Sequence, residues 1–412
     1  MTESGLLARW RTEPSHLDAP ALPPRPWVEP NFSRRLESGI RVGDASDREI
    51  RGISRLHGLG LLEWSVGTPL IARPLSRDLP LPALTNQLAD QELSEWAMLR
   101  PNHGAWVIES AAAPWQVSDE RGLQVLADGP RWSAAEWALL AAIGLTSASD
   151  DPQLSHDWNF HDRLFATRSR LDALQPPSPM NSGEMPAPPL HRVPACAANP
   201  EALRIALPVA TGPRIDEPAL FDAMENRRTI RKFSAASLTL ADLGEVLWRS
   251  VRIREHGVSH ISGGIEYENG FGPVPSGGGL HAIDIWVATS NVADVPRAWW
   301  WYDRLEHELV MVSELSSNWA ASPVAMRFTV RHARTSWKYP GFAHALELKD
   351  VGAIMLAMQL AGSPLGIGTW LFGSGSSAEF ARDLGIDLTT DHPVGELALG
   401  TRRDPSSERE KA

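Results

Sequence analysis

The sequence predicts an α+β protein built from more than one domain, and three observations carry that expectation. Ile283, Ile285 and Val287 alternate with Asp284, Trp286 and Ala288, the two-residue period of a strand. Residues 351–361 are apolar nearly all round, the pattern of a buried helix. Between about 171 and 200, eight prolines interrupt every periodic pattern, which suits an extended linker between folded regions. A chain of 412 residues is also longer than one average core requires.

The elements follow in order. A Pro-rich stretch from Pro14 to Pro30 reads as a loosely ordered leader, placed at 1–40. A first domain is expected over 41–170. In it, Ile50, Ile53, Leu56 and Leu59 have helical spacing until Gly58 and Gly60 break it. Residues 106–108 and 123–126 are short β-like runs. Ser133 caps a helix over 134–143, with Glu136 at the capping-box offset and Gly144 as its stop. Helices mixed with a small hairpin suit a winged-helix-like module, and a generic α+β packing domain fits the pattern equally well. A linker is expected at 171–205 and a second domain at 206–405. There Pro218 opens a helix after a cap at Asp216 or Glu217, with Leu220, Phe221 and Met224 on one face. Thr239 opens another, with Asp242 in the first turn and Leu243, Val246 and Leu247 apolar. Residues 299–302 and 309–312 flank a polar turn and predict a hairpin.

Bulk properties narrow the function. No window reaches the roughly 18 apolar residues of a membrane span, and residues 1–5 lack the pattern of a secretory signal. One cysteine, Cys196, excludes an internal disulfide and a cysteine-rich zinc site, so a cytoplasmic location is expected. A net charge of −11 argues against a nucleic-acid surface. His156 and His161 have no ligand-spaced partners, so no metal is expected. No Gly-x-Ser-x-Gly elbow points to a serine hydrolase. Seventeen tryptophans stand against three tyrosines, most of them expected in the core.

Three short patterns can carry chemistry. Arg227, Arg228, Thr229 and Arg231 lie where a helix gives way to a turn, a place to hold a phosphate dianion by guanidinium hydrogen bonds. A solvated helix end is the bland alternative. Pro275-Ser276-Gly277-Gly278-Gly279-Leu280 lets the backbone approach a flat ligand closely, or is a flexible loop. It runs directly into the strand at 283, which favours a binding loop. Lys338-Tyr339 can form an acid-base pair, with Arg331, His332 and Arg334 supplying charge that favours a neutral amine, or can be a snorkelling lysine beside a packed tyrosine.

In this order, with Gly366-Ile367-Gly368-Thr369 and Leu397-Ala398-Leu399-Gly400 after them, these motifs resemble the nitroreductase-fold, FMN-dependent dehydrogenases of the SagB type. The resemblance implies an antiparallel-rich central sheet flanked by helices in a homodimer. It implies FMN, its phosphate and ribityl chain held by Arg227, Arg228, Thr229 and Arg231. Pro275, Ser276, Gly277 and Gly278 would line the flavin ring and Gly366 and Gly368 would pass near it. Arg402 or Arg403 would add a phosphate ligand across the dimer interface. Lys338 and Tyr339 would be catalytic in oxidising thiazolines and oxazolines to azoles in a precursor peptide matured beside a YcaO-type cyclodehydratase. Trp158, His161, Asp162, Phe165, Ser169 and Arg170 resemble a segment that precedes the catalytic domain in this group, implying a peptide-clamp-like first domain. Ala282 departs from the family's usual proline and Gly277 from its usual alanine, both small changes. The polar, Gly-rich segment 255–271 is expected to be a substrate-facing loop. The alternative functions are a nitroreductase-like reductase of quinones, nitroaromatics or enones, and a flavin-free scaffold.

Overall fold

Residues 6–10, 28–66, 70–84, 91–102, 105–119, 121, 132–169, 187–210, 212, 218–261, 265–315, 322–372 and 377–403 are described by a computed structural model. The chain divides into two compact units, residues 1–176 and 177–412. The β-like run at 123–126, the helix cap at 216–217, residues 170–186 and most of the stretch 14–30 lie outside the described residues.

The first unit contains β1 (Leu7–Trp10), α1 (Pro30–Ser38), β2 (Ile40–Arg41), α2 (Asp47–Gly58), β3 (Leu62–Ser65), β4 (Leu70–Pro74), β5 (Ala97–Asn102), β6 (Ala105–Ser110), β7 (Trp115–Asp119), α3 (Ala134–Ala142), α4 (Pro152–Asp157) and α5 (Phe160–Arg168). Its strands form one antiparallel sheet in the order β2-β1-β3-β4-β7-β6-β5. This sheet is far wider than the small hairpin behind the winged-helix expectation, so the α+β class holds with a larger β layer. The leader expectation for 1–40 is corrected: Leu6 and Ala8 are buried and β1 pairs with both β2 and β3. Local chemistry sets the helix starts. Ser46 with Glu49, and Ser133 with Glu136, each form a complete capping box. The segment around His161 and Asp162 is exposed, and its helix is tied down by Arg168, which donates to the carbonyls of Ser110 (2.8 Å) and Ala113 (3.2 Å).

The second unit contains β8 (Arg204–Ala206), α6 (Leu220–Asn226), α7 (Leu240–Ser250), β9 (Glu255–Ile261), β10 (Ile265–Phe271), β11 (Ile283–Thr289), β12 (Ala298–Asp303), β13 (Glu308–Glu314), β14 (Val324–Arg331), α8 (His332–Ser336), α9 (Ala343–Gly362), β15 (Ile367–Phe372), α10 (Ser377–Leu384) and β16 (Asp391–Thr401). An antiparallel sheet runs β15-β16-β14-β11-β12-β13-β8, and β9-β10 form a separate hairpin. Every residue of β11 and β12 is buried. Alternation in β11 therefore separates two interiors, not core from solvent. Ile283, Ile285, Val287 and Trp300 face one core with α7 and α9, while Trp286, Trp299, Trp301 and Phe380 form the other.

Three expectations are corrected here. The described part of the linker, from 187 onward, belongs to the second unit: Leu190 and Ala197 are buried and β8 pairs with β13. Leu220, Phe221 and Met224 do not face the core but are 67%, 71% and 53% exposed. The helix over 351–361 is the second half of α9 and is buried on one side only, with Leu356 44% exposed.

Candidate active site

Tertiary folding brings the glycine loop and the Lys-Tyr pair together. The loop is a tight turn over Gly277–Gly279 in which Gly278 and Gly279 take φ values of 64° and 68°. A Cβ on Gly278 would lie 2.7 Å from the Tyr339 hydroxyl and 3.2 Å from Lys338 Nζ. Only a residue without a side chain lets the two candidate catalytic groups pack this closely against position 278. Lys338 and Tyr339 reach it because the chain after α8 stays in a tight turn, their amides donating to Thr335 O at 3.2 and 2.9 Å.

Groups that no motif singled out complete the arrangement. Tyr267 on β10 accepts a hydrogen bond from Lys338 Nζ at 2.6 Å and donates its own to Gly278 O at 3.3 Å. Asp350 on α9 holds the start of the loop, accepting from Ser276 Oγ at 2.8 Å and from Gly277 N at 3.0 Å. Burial raises the Asp350 carboxyl above its ordinary range, against the pull of those two hydrogen bonds. At Gly277, where the resembled family usually has alanine, a Cβ would collide with Leu346. Pro275 is exposed beside the loop.

His281 ends the loop at φ 44°. Burial, reinforced by Arg304, pushes it down to about 3. It is therefore neutral, with Nε2 donating to Gly270 O at 2.9 Å and Nδ1 accepting from Arg304 at 3.2 Å. Arg331 and Arg334, the cations expected to lend charge to Lys338, also direct donors at backbone carbonyls. Arg331 donates to Leu190 O (3.0 Å), His281 O (3.2 Å) and Pro189 O (3.3 Å). Arg334, 1% exposed, donates to Leu280 O and Pro188 O, and to Glu268 O at 2.7 Å. These two arginines tie residues 188–190, the hairpin and the glycine loop together.

The basic stretch gathers elsewhere. Thr229 bridges Thr369 in parallel and Ile230 N donates to Thr369 O at 2.9 Å, so the segment lies along β15. Thr229, Arg228 and Arg231 are exposed. Arg231 stacks toward Trp370, with its guanidinium carbon 6.0 Å from the ring centre. Arg228 donates to Glu225 O (2.9 Å) and Arg227 O (2.8 Å), and Arg227 donates to Gln359 on α9 at 3.3 Å. Arg403 joins this cluster by donating to Phe233 O at 2.8 Å, while Arg402 donates to Ile367 O at 3.2 Å. Asp350 and Gln359 are nine residues apart on α9, so the loop and the basic cluster are offset by about 13 Å along one helix.

Gly366 and Gly368, expected to pass near the flavin, each have a local role in the fold. Gly366 takes φ 68° to end a turn, and a Cβ on Gly368 would lie 2.7 Å from Ile230 Cγ2. Cys196 is inert, its thiol raised to about 11 by burial. A cavity of about 800 Å³ lies in the first unit between α1 and α2, and another of about 680 Å³ lies between α6 and the end of α9. Lys338 lines neither, so the site is defined by its chemistry and not by these two cavities. Among the described residues no cluster of three or more metal-ligating side chains occurs, and no helix is long and apolar enough to cross a membrane.

Residues 224–401 match the family described as the Nitroreductase family. A protein of Methanocaldococcus jannaschii that carries the name nitroreductase is 24% identical over 169 residues, 38% of this chain and 79% of that protein. Among solved structures, a nitroreductase-named protein of Ralstonia eutropha is 20% identical with a TM-score of 0.39, covering 53% of this chain and 95% of its own. The E. coli microcin synthetase McbBCD complex with truncated pro-MccB17 bound is 15% identical with a TM-score of 0.36, covering 61% of this chain and 97% of the matched one. The second unit has a nitroreductase-like fold, an antiparallel sheet flanked by helices.

Proposed function

We propose that this chain is an FMN-dependent oxidoreductase that converts azolines, thiazolines or oxazolines, to azoles in a ribosomally made precursor peptide. FMN is the cofactor of the nitroreductase-type domain, and when bound it accepts a hydride at N5. The residues suit it. Gly278 lies directly against the Lys338 amine and the Tyr339 hydroxyl, and the exposed Thr229 and Arg231, with Arg227, Arg228, Arg402 and Arg403 nearby, offer donors for a phosphate. The observation that carries ring oxidation is the convergence of the Lys338 amine and the Tyr339 hydroxyl on that one glycine.

Azoline oxidation removes a proton from the ring α-carbon and a hydride from the adjacent carbon. Neutral Lys338 takes the proton and becomes an ammonium. Tyr339 holds the ring by a hydrogen bond to its heteroatom. A cyclodehydratase of the YcaO type supplies the azoline, and the first unit grips the peptide outside the reacting ring. The chain works as a homodimer, a second copy covering Leu348 and Leu356, which are 39% and 44% exposed on α9.

The test begins with purified protein, whose spectrum should show FMN released on denaturation and whose light scattering should give a dimer. An azoline peptide should then lose two mass units per ring. Lys338→Ala and Tyr339→Phe should keep FMN, with Lys338→Ala losing about two to four orders of magnitude in rate. Both variants working at the wild-type rate would overturn this reading in favour of a reductase of quinones, nitroaromatics or enones.

A further inference from the structure

We infer that Tyr267 is the positioning residue of Lys338, fixing where its amine lone pair points, an inference that rests on Lys338 being the base. Composition first draws attention to the pair. Of 39 lysine and arginine residues only four are lysines (Lys232, Lys338, Lys349 and Lys411), and the chain has three tyrosines. Two of those three, Tyr267 and Tyr339, have rings within 5.5 Å of Lys338 Nζ. Of the two cationic side chains, only lysine can give up its proton and act as a base.

The hydrogen-bond directions follow from the donor inventory. The Tyr267 hydroxyl gives its one proton to Gly278 O at 3.3 Å, so it meets Nζ, 2.6 Å away, with a lone pair. In that arrangement Lys338 donates to Tyr267 in either protonation state. A neutral amine with one N–H pinned there keeps its lone pair off Tyr267, and the Cβ position of Gly278, 3.2 Å from Nζ, lies beside it. When the amine takes up a proton, the new ammonium already has an oxygen acceptor and an aromatic face 4.3 Å from Nζ. The third tyrosine shows the contrast. Tyr302 is fully buried, and its hydroxyl is satisfied by His307 Nδ1 at 2.8 Å in the core.

Tyr267 is rigid enough for this task. It is 7% exposed, and its ring packs 5.5 Å from that of Trp337. β10 is clamped by pairing with β9 and by Arg334, which donates to Glu268 O at 2.7 Å. The charged groups around the pair are Arg334 of α8, Glu268 of β10 and, behind Gly277, Asp350 of α9.

The experiment uses the full-length protein as purified, in wild-type, Tyr267→Phe and Lys338→Ala forms. Pulses of acetic anhydride across a pH series acylate neutral amines, and peptide mass spectrometry resolves Lys338 from the other lysines. Phenylalanine keeps the packing against Trp337 and Leu280, so a purely structural role would leave the labelling profile unmoved. In Tyr267→Phe the Lys338 profile should move to lower pH, because the ammonium loses its oxygen acceptor, while that of Lys349 stays in place. Azoline oxidation should fall about tenfold in kcat with FMN content unchanged, the scale of one hydrogen bond. An unmoved Lys338 profile with a wild-type rate in Tyr267→Phe, beside an inactive Lys338→Ala, overturns this inference alone. A fully active Lys338→Ala overturns the base assignment and this inference with it.

Discussion

Two short basic stretches, Arg-Arg-Thr-Ile-Arg at 227–231 and Arg-His-Ala-Arg at 331–334, have similar composition and opposite fates. In the first, the backbone lies along β15 and Arg228 and Arg231 project outward. In the second, the chain leaves β14 in the middle of the sheet, and Arg331 and Arg334 are 7% and 1% exposed. Burial lowers Arg334 to about 10 and leaves it an arginine cation serving only as a hydrogen donor. The lesson is that an arginine's role depends on which strand delivers it. An edge segment leaves its guanidinium exposed to solvent, while a central strand buries it as mortar between carbonyls.

The largest expected effect tests the buried stretch. Arg334→Met should lower unfolding free energy by about 3–5 kcal/mol, because the carbonyls of Leu280, Pro188 and Glu268 lose a buried charged donor. The urea midpoint measures it. Next comes the exposed stretch. Arg231→Ala should weaken FMN retention by about 1.5–3 kcal/mol, yet change the urea midpoint by less than about 0.5 kcal/mol of stability. Wild-type FMN occupancy in Arg231→Ala would reduce the first stretch to a solvated helix end. Equal stability losses in the two variants would erase the contrast altogether.

The smallest effect concerns His332, the half-exposed member of the buried stretch. It faces Glu347 Oε1 at 3.0 Å, and His344 faces Oε2 at 3.1 Å, with His392 beyond it. Burial opposes the Glu347 charge, but hydrogen bonds from His332 and His344 prevail and hold it at about 2, below the ordinary 4.5. Its contribution is thus present above 4.5 and lost as pH falls toward 2. The hydrogen bond to Glu347 raises His332 above 6.5, so its contribution is present below 6.5 and lost as pH rises through the raised value. Glu347→Gln should therefore cost most between 4.5 and 6.5, by about 1 kcal/mol. A loss that does not vary with pH would show the pair to be uncharged.

Much of the local architecture was legible. Ser133 and Thr239 each accept a hydrogen bond from the amide three residues on, as read from the sequence, because capping is a contact within one turn. The β12-β13 hairpin likewise needs only its own turn and alternating residues. The strand Leu7–Trp10 escaped notice because its partners begin at residues 40 and 62, beyond any local window. Leu220 and Phe221 misled because helical spacing shows that a face is apolar and not whether anything covers it.

The candidate site divides the same way. By itself the sequence determined the kinds of chemistry at hand, namely a lysine beside a tyrosine, a run of glycines and a basic segment, since residue identity is local. Only the tertiary structure decided which of them meet. It closed the loop at 278 onto residues 338 and 339, gave Gly368 to Ile230, and placed Tyr267 against Lys338 across 71 residues of chain. The physical reason is that such contacts depend on strand register and helix packing, which the whole core sets at once.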